Sequence, residues 1–316
     1  MRRLFFLPVN TGYYKHGCPT EECVRFYTDR SDTSIYCSIV GNVVMINGFS
    51  TNISCGYISK DRSWEKLSTG IKKNGTMPGI QLSTTYEDYH GQELFVNKNW
   101  PEYERFLTAT IKNVNLSQLI HDLKVSIKLC YYSGFEHVQI HAAHGYLFSI
   151  LLDPVINPQI DDVVEALLEV SQYAKGLSLS TSIRVSLFCG FDEEREFSRK
   201  DIIAGLCGGW FDFVDISEGY YNYNKNYIYP TIKEELSKRL IRGTQFALEN
   251  ENQNMILSGK IIRFENYPDN VNIGVCRDLI ANPMFLKNSY SICDNCGRCH
   301  YYSNGMEKMN CSKWVK

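Results

Sequence analysis

The sequence has no run of five or more basic residues. With a formal net charge of −2 over 316 residues it shows no overall pull toward nucleic acid or an anionic membrane surface. No stretch approaches the ~18 consecutive apolar residues that a membrane span requires. The opening Met1-Arg2-Arg3-Leu4-Phe5-Phe6-Leu7-Pro8 places two arginines before an apolar run, but that run stops at Pro8, too short for the core of a secretory leader. Neither an internal repeat nor a Pro/Gly/Ser-rich linker interrupts the chain. These absences lead us to expect a cytoplasmic protein acting on a small-molecule substrate, with no nucleic acid and no membrane as partner.

What is present is ordinary globular material, 44% hydrophobic and 22% charged, in a recurring order. Short apolar runs alternate with amphipathic stretches, the pattern of parallel strands joined by crossover helices. The runs are Leu4 to Val9, Ser34 to Val40, Gly79 to Leu82, His137 to Ile140, Ser180 to Ser186, Phe211 to Ile216, Met255 to Leu257 and Val271 to Val275. Helices are expected at Glu22 to Arg30, Trp64 to Lys73, Leu119 to Tyr132, Val163 to Ala174, Lys200 to Leu206 and Ile232 to Leu248. The seventh is poor, since Glu265 to Asn270 is short and contains Pro268. Eight strands favour an α/β fold closed as one (β/α)8 TIM barrel over residues 1–290. Two segments exceed a minimal barrel: a polar, aromatic-rich insertion at Thr84 to Asn115, and a Tyr/Asn run within Glu218 to Pro230. Both follow strand C-termini, where barrel enzymes place substrate loops.

Of the twelve cysteines, eight are scattered singly and need no function. Cys293, Cys296, Cys299 and Cys311 instead form a ligand pattern, so residues 291–316 read as a C-terminal four-cysteine metal-binding appendage. Four thiolates suit an iron–sulfur cluster or zinc. Three cysteines at successive x2 spacings are more typical of a cubane, so a [4Fe-4S] cluster is the first expectation and zinc the alternative. His300 reads as a bystander to that site.

The densest chemical signal is Ile140-His141-Ala142-Ala143-His144-Gly145-Tyr146-Leu147. A strand end followed by a turn can aim both imidazoles and the phenol into one mouth. Two N–H donors near a bound oxygen would stabilise negative charge as hydride arrives at a conjugated carbon, and the tyrosine could supply the proton. From spacing alone the histidines could equally be structural residues or half of a metal site. A metal-dependent hydrolase is the weaker reading, because no third ligand stands at suitable spacing.

That segment, followed by Leu152-Asp153-Pro154 and Asn157, resembles the old yellow enzyme family of FMN-dependent ene-reductases, and the resemblance extends along nearly the whole chain. Leu7-Pro8-Val9-Asn10 looks like the family's first strand, which implies that Pro8 and Asn10 lie against the flavin. Gly79-Ile80-Gln81-Leu82 implies Gln81 at the flavin pyrimidine, and Ile183-Arg184-Val185-Ser186 implies Arg184 beside N1 and O2. Ser258-Gly259-Lys260 and Cys276-Arg277-Asp278 resemble the phosphate grip, giving Gly259 and Arg277. The same resemblance implies that His141 and His144 hold the substrate oxygen and that Tyr146 donates the proton.

The implied activity is hydride transfer from NADH or NADPH through FMN to an activated C=C bond or similar electrophile. Family members such as dienoyl-CoA reductase also carry a cysteine group after the barrel, holding a [4Fe-4S] cluster, with the last spacing one residue longer than here. A separate electron-transfer protein is then a partner to expect, and a homo-oligomer stays open. Three departures stand out: the family's Arg-rich loop after Asn157 is missing, Cys276 replaces the usual glycine before the phosphate arginine, and Ser83-Thr84-Thr85 stands where the family has a histidine. They motivate an alternative, a non-catalytic or assembly-partner barrel that keeps fold and metal site but has lost its flavin chemistry.

Overall fold

The computed structural model describes residues 2–89, 99–259, 267–287 and 293–314. All eight expected runs contribute strands: β1 Leu4–Phe6, β2 Cys37–Val44, β3 Met77–Ser83, β4 His137–Ala142, β5 Ser180–Phe188, β6 Phe213–Glu218, β7 Met255–Ser258 and β8 Val271–Val275. Each pairs in parallel with its sequence neighbour, and β1 pairs with both β8 and β2, closing an eight-stranded barrel. β1 ends earlier than the apolar run because Pro8 has no N–H to give a ladder; Val9 makes only an isolated bridge to Gly41.

Nine helices accompany the strands among the described residues: α1 Glu21–Thr28, α2 Arg62–Lys73, α3 Trp100–Ile111, α4 Leu116–Tyr132, α5 Leu147–Leu151, α6 Ile160–Gly176, α7 Glu193–Gly205, α8 Lys233–Glu249 and α9 Arg277–Ala281. Local chemistry sets where they begin. The Thr20, Asp61, Asn115 and Asp192 side chains each accept a backbone N–H from the first turn of the helix that follows. In α2, Trp64, Leu67 and Ile71 recur at helical spacing and bury one face against the barrel. No described helix is long and apolar enough to cross a membrane.

The polar, aromatic-rich insertion at Thr84 to Asn115 holds a helix, α3, whose start was marked by Asn99 at the cap and Pro101 in the first turn. The expected seventh helix is not seen in its described part, since residues 267–270 are bend and turn. Its first residues, Lys260 of the phosphate motif and the expected boundary at 290/291 fall outside the described residues.

Alternation along the strands separates two cores. Phe5, Leu7, Cys37, Ile39, Phe213 and Ile256 cluster inside the barrel, while a much larger cluster lies between strands and helices. Residues 293–314 pack onto the barrel: the Met309 N–H donates to Thr11 O at 2.8 Å, the Tyr13 hydroxyl to Met309 O at 3.0 Å, and the Trp314 indole to Ile280 O at 2.8 Å. Gly12 permits this contact, because its φ is +67° and a Cβ there would lie 2.5 Å from Glu307 O.

Beyond α5 the chain runs directly from Asn157 into α6, and the turn is held by Asp153. This fully buried carboxylate takes Arg195 at 2.8 Å and Arg199 at 2.7 Å, and Arg195 also pairs with Glu104 of α3. Asp153→Ala removes the carboxylate paired with buried Arg199 and leaves Arg195 with Glu104, so it should lower stability by about 3–5 kcal/mol. Urea unfolding measures this, and a midpoint within error of wild type would show that the triad is not needed.

Candidate active site

The C-terminal ends of the strands open into a cavity of about 700 Å³, within the usual range for small-molecule sites. All nine residues assigned to catalysis or cofactor binding line it: Pro8, Asn10, Gln81, His141, His144, Tyr146, Arg184, Gly259 and Arg277. Their strand positions explain this convergence. Gln81 and His141 occupy inward positions near the ends of β3 and β4, Arg184 stands opposite His141 in the middle of β5, Gly259 follows β7 and Arg277 opens α9 after β8.

A buried polar network underlies the cavity. Arg184 Nη1 meets Asp215 Oδ2 at 2.7 Å, and its Nη2 donates to Ser217 Oγ at 3.2 Å. Asp215 also accepts from Gln139, whose amide oxygen accepts from Gln81 at 2.7 Å. Burial raises the Asp215 pKa above its ordinary value, and the neighbouring Arg184 and Arg239 hold it back. Ser217 Oγ lies 2.7 Å from His144 Nε2, so one guanidinium and one imidazole share a hydroxyl.

His144 sits at φ +61°, a left-handed conformation uncommon outside glycine, and Ser186 Oγ accepts its backbone N–H at 3.0 Å. That turn sets its ring 5.3 Å from His141 and leaves the His141 ring 4.1 Å from Tyr146, centroid to centroid. Burial, reinforced by Arg184, lowers both histidine pKa values well below the ordinary range, so both imidazoles are neutral. The Ala143 N–H approaches His141 Nδ1 at 3.4 Å, which places the ring proton on Nε2. Burial raises the Tyr146 pKa, keeping the phenol protonated, and Asn42 donates to its oxygen at 3.0 Å.

Asn10 is held from the far end of the chain. Its Oδ1 accepts the Tyr301 hydroxyl at 3.1 Å and the Gly12 N–H at 3.2 Å, while Nδ2 reaches Cys55 Sγ at 3.2 Å. His300 also lines the cavity, with its ring 4.0 Å from Tyr229. Within the Tyr/Asn run, Tyr220 and Tyr223 pack against Trp100 and Phe191, whereas Tyr221 and Tyr229 face the cavity and share a hydroxyl–hydroxyl hydrogen bond.

The four-thiolate cage expected of Cys293, Cys296, Cys299 and Cys311 is not assembled. Among the described residues no three or more His, Cys, Asp or Glu side chains gather into a group that could hold a metal ion. Cys296 is exposed and turned to Ser312 Oγ at 3.2 Å, and Cys293 Sγ takes the Asn295 N–H at 3.4 Å. Cys299 packs beside the main core, and burial with neighbouring thiols raises its pKa to about 11. As arranged, the four sulfurs therefore form no shared cage. Cys276 lines the cavity while also packing on both cores.

Asn42, Asp215, Ser217, Arg239 and Tyr301 were not anticipated. The pattern Phe213-Val214-Asp215-Ile216-Ser217 offered a signal for two of them, since period-2 alternation puts Asp215 and Ser217 on one face of a buried strand.

The chain resembles the old yellow enzymes. It is 26% identical over 251 residues to the NADPH dehydrogenase of Clostridium acetobutylicum, covering 69% of this chain and 68% of that protein. Among solved structures it superposes on 2-naphthoyl-CoA reductase in complex with 2-naphthoyl-CoA with a TM-score of 0.75 at 13% identity, covering 99% of this chain. The match spans about half of that enzyme, 54% of its length. It also matches old yellow enzyme from Pichia sp. AKU4542 with a TM-score of 0.66 at 16% identity, covering 92% of this chain and 84% of the other. These structural likenesses carry the fold. No family model matches the chain.

The depressed histidine pKa values have a consequence for stability. Below about pH 6.5 an unfolded chain protonates these imidazoles while the folded protein does not, so stability must fall as pH drops. His141 and His144 together should cost about 2–3 kcal/mol between pH 7 and 5.5. Urea midpoints across that window should fall less steeply in a His141→Asn/His144→Asn variant; identical slopes would mean that these imidazoles are already charged.

Proposed function

We propose that this chain is an FMN-dependent oxidoreductase of the old yellow enzyme type. In this reading it takes hydride from NADPH or NADH and delivers it to an activated C=C bond or similar electrophile. The observation that carries the reading is one cavity in which two neutral imidazoles, a protonated phenol and the partly buried Arg184 guanidinium converge at the C-terminal face of the barrel. The names of the similar proteins, an NADPH dehydrogenase and a CoA-ester reductase, support the donor and the direction.

The residues present fit FMN. Arg184 would lie by the electron-poor ring, Gln81 and Asn10 along its edge, and Gly259 with Arg277 at the phosphate. Bound FMN supplies the hydride chemistry, leaving placement and electrostatics to the protein. His141 Nε2–H and the free nitrogen of His144 would donate to a substrate carbonyl oxygen, stabilising it as charge accumulates there. Their neutrality matters, because a neutral N–H polarises the oxygen without protonating it. Asn42 donates to Tyr146 Oη, so that contact does not consume the phenol proton, which stays available for the substrate carbon. Arg184, anchored by Asp215, would favour the electron-rich state of the ring.

The four cysteines take no part in these steps. Their spacing keeps a [4Fe-4S] cluster, or zinc, as a proposal for the metallated protein, with a separate electron-transfer protein as its partner. One observation favours the second reading, a barrel that has lost flavin chemistry: Cys276 stands in the cavity wall beside Arg277 where the family has glycine.

An anaerobic absorbance spectrum with iron and zinc quantified decides among these. Flavin bands that bleach on adding NADPH or NADH are expected, and about four irons per chain would establish the cluster. His141→Ala and His144→Ala should each lower kcat/KM for an enone by ~10²–10³ with flavin content unchanged. A colourless protein that takes up no FMN would refute the enzyme reading in favour of the second.

A further inference from the structure

Arg239 projects from α8 into the cavity wall with only 6% of its surface exposed. Its Nη1 donates to Tyr227 O at 3.3 Å, and Nη2 reaches Ser217 Oγ at 3.4 Å and Ser258 Oγ at 3.0 Å. All three acceptors are neutral, and its buried Nε has no partner among the described residues. The nearby carboxylates are committed elsewhere. Asp215 pairs with Arg184 at 2.7 Å, and Glu218 is taken by Arg242 through two hydrogen bonds of 2.7 Å. Among the described residues Arg239 therefore has no ion pair. Burial and the like charges of Arg184 and Arg277 lower its pKa to about 10, which still leaves it charged at neutral pH.

A buried cation without a counter-ion is costly, and a guanidinium does not escape by losing its proton near neutral pH. Arg277 poses the same question, since its hydrogen bonds go to Asn295 Oδ1 and Pro230 O, both uncharged. Gly259 lies between α8 and the cavity, where a Cβ would sit 3.8 Å from Arg239 Cδ, and its φ of +140° suits glycine alone. Two guanidiniums whose partners among the described residues are all neutral, a serine hydroxyl and a bare backbone thus converge at one end of the cavity. The ligand that balances them is a dianion with several acceptor oxygens, as a phosphate monoester is.

We propose that Arg239 is a phosphate-binding residue, gripping with Arg277 the phosphate of the ligand that fills the cavity. The inference rests on the flavin reading for the identity of that ligand, and adds a positive charge from α8 that no motif around β7 or β8 supplies.

The test uses the full chain stripped of ligand, titrated with FMN and with riboflavin, which lacks the phosphate, followed by fluorescence quenching. Wild type should prefer FMN by about a hundredfold. Arg239→Gln should cut that preference about tenfold while leaving riboflavin affinity unchanged, with Arg239→Lys in between. The ligand-free Arg239→Gln protein should melt at or above the wild-type temperature, because an uncompensated charge has gone. A variant that binds both flavins equally less well, keeps the full preference, or fails to fold would overturn the proposal. If wild type binds neither flavin, the flavin reading fails separately, and inorganic phosphate and pyrophosphate decide: protection of wild type but not of Arg239→Gln supports the anion site, and protection of neither, or of both equally, overturns it.

Discussion

The pairing of Arg184 with Asp215 on neighbouring strands is the constraint around which the site is arranged. A carboxylate with no exposed surface inside a barrel is tolerable only where its charge is answered, and the answering guanidinium faces the cavity. From this pair the network extends one way through Gln139 to Gln81 and the other through Ser217 to His144. The positive charge nearest the imidazoles helps to keep them neutral. Near the strand starts the barrel interior holds Phe5 and Phe213 edge to face beside the buried His137, and the charged pair lies further along the strands.

Strands and most helices were legible because their signals are local. Apolar runs, caps and period-2 or period-3.6 spacing survive in any tertiary context that buries one face. α3 was missed because the polar and aromatic composition of its neighbourhood outweighed the start signal at Asn99 and Pro101. The nine residues of the cavity were legible through resemblance, and the two histidines and tyrosine also through spacing. Arg239 and Asn42 were not. An arginine in a charged amphipathic helix looks like any solvated residue until the helix is docked, and an asparagine beside a glycine looks like a turn.

The Tyr/Asn run shows how composition conceals division of labour. Tyr220 is fully buried and Tyr223 packs edge-on against Trp100 and tilted against Phe191, so these two hold the loop down. Tyr221 alternates with them and turns the other way, placing its ring 5.8 Å from His144. A single polar loop therefore contributes both ballast and a reactive-site wall, and no count of tyrosines separates the two.

The packing of residues 293–314 has a further meaning in time. Tyr301 and Met309 touch the loop that follows β1, and Trp314 touches α9 after β8, so this segment spans the seam where the first and last strands meet. The wall that holds Asn10 in place is made of residues synthesised after every barrel strand. A nascent chain can close its barrel before that wall exists, and the cavity acquires its final shape only when residues 293–314 are laid across the seam.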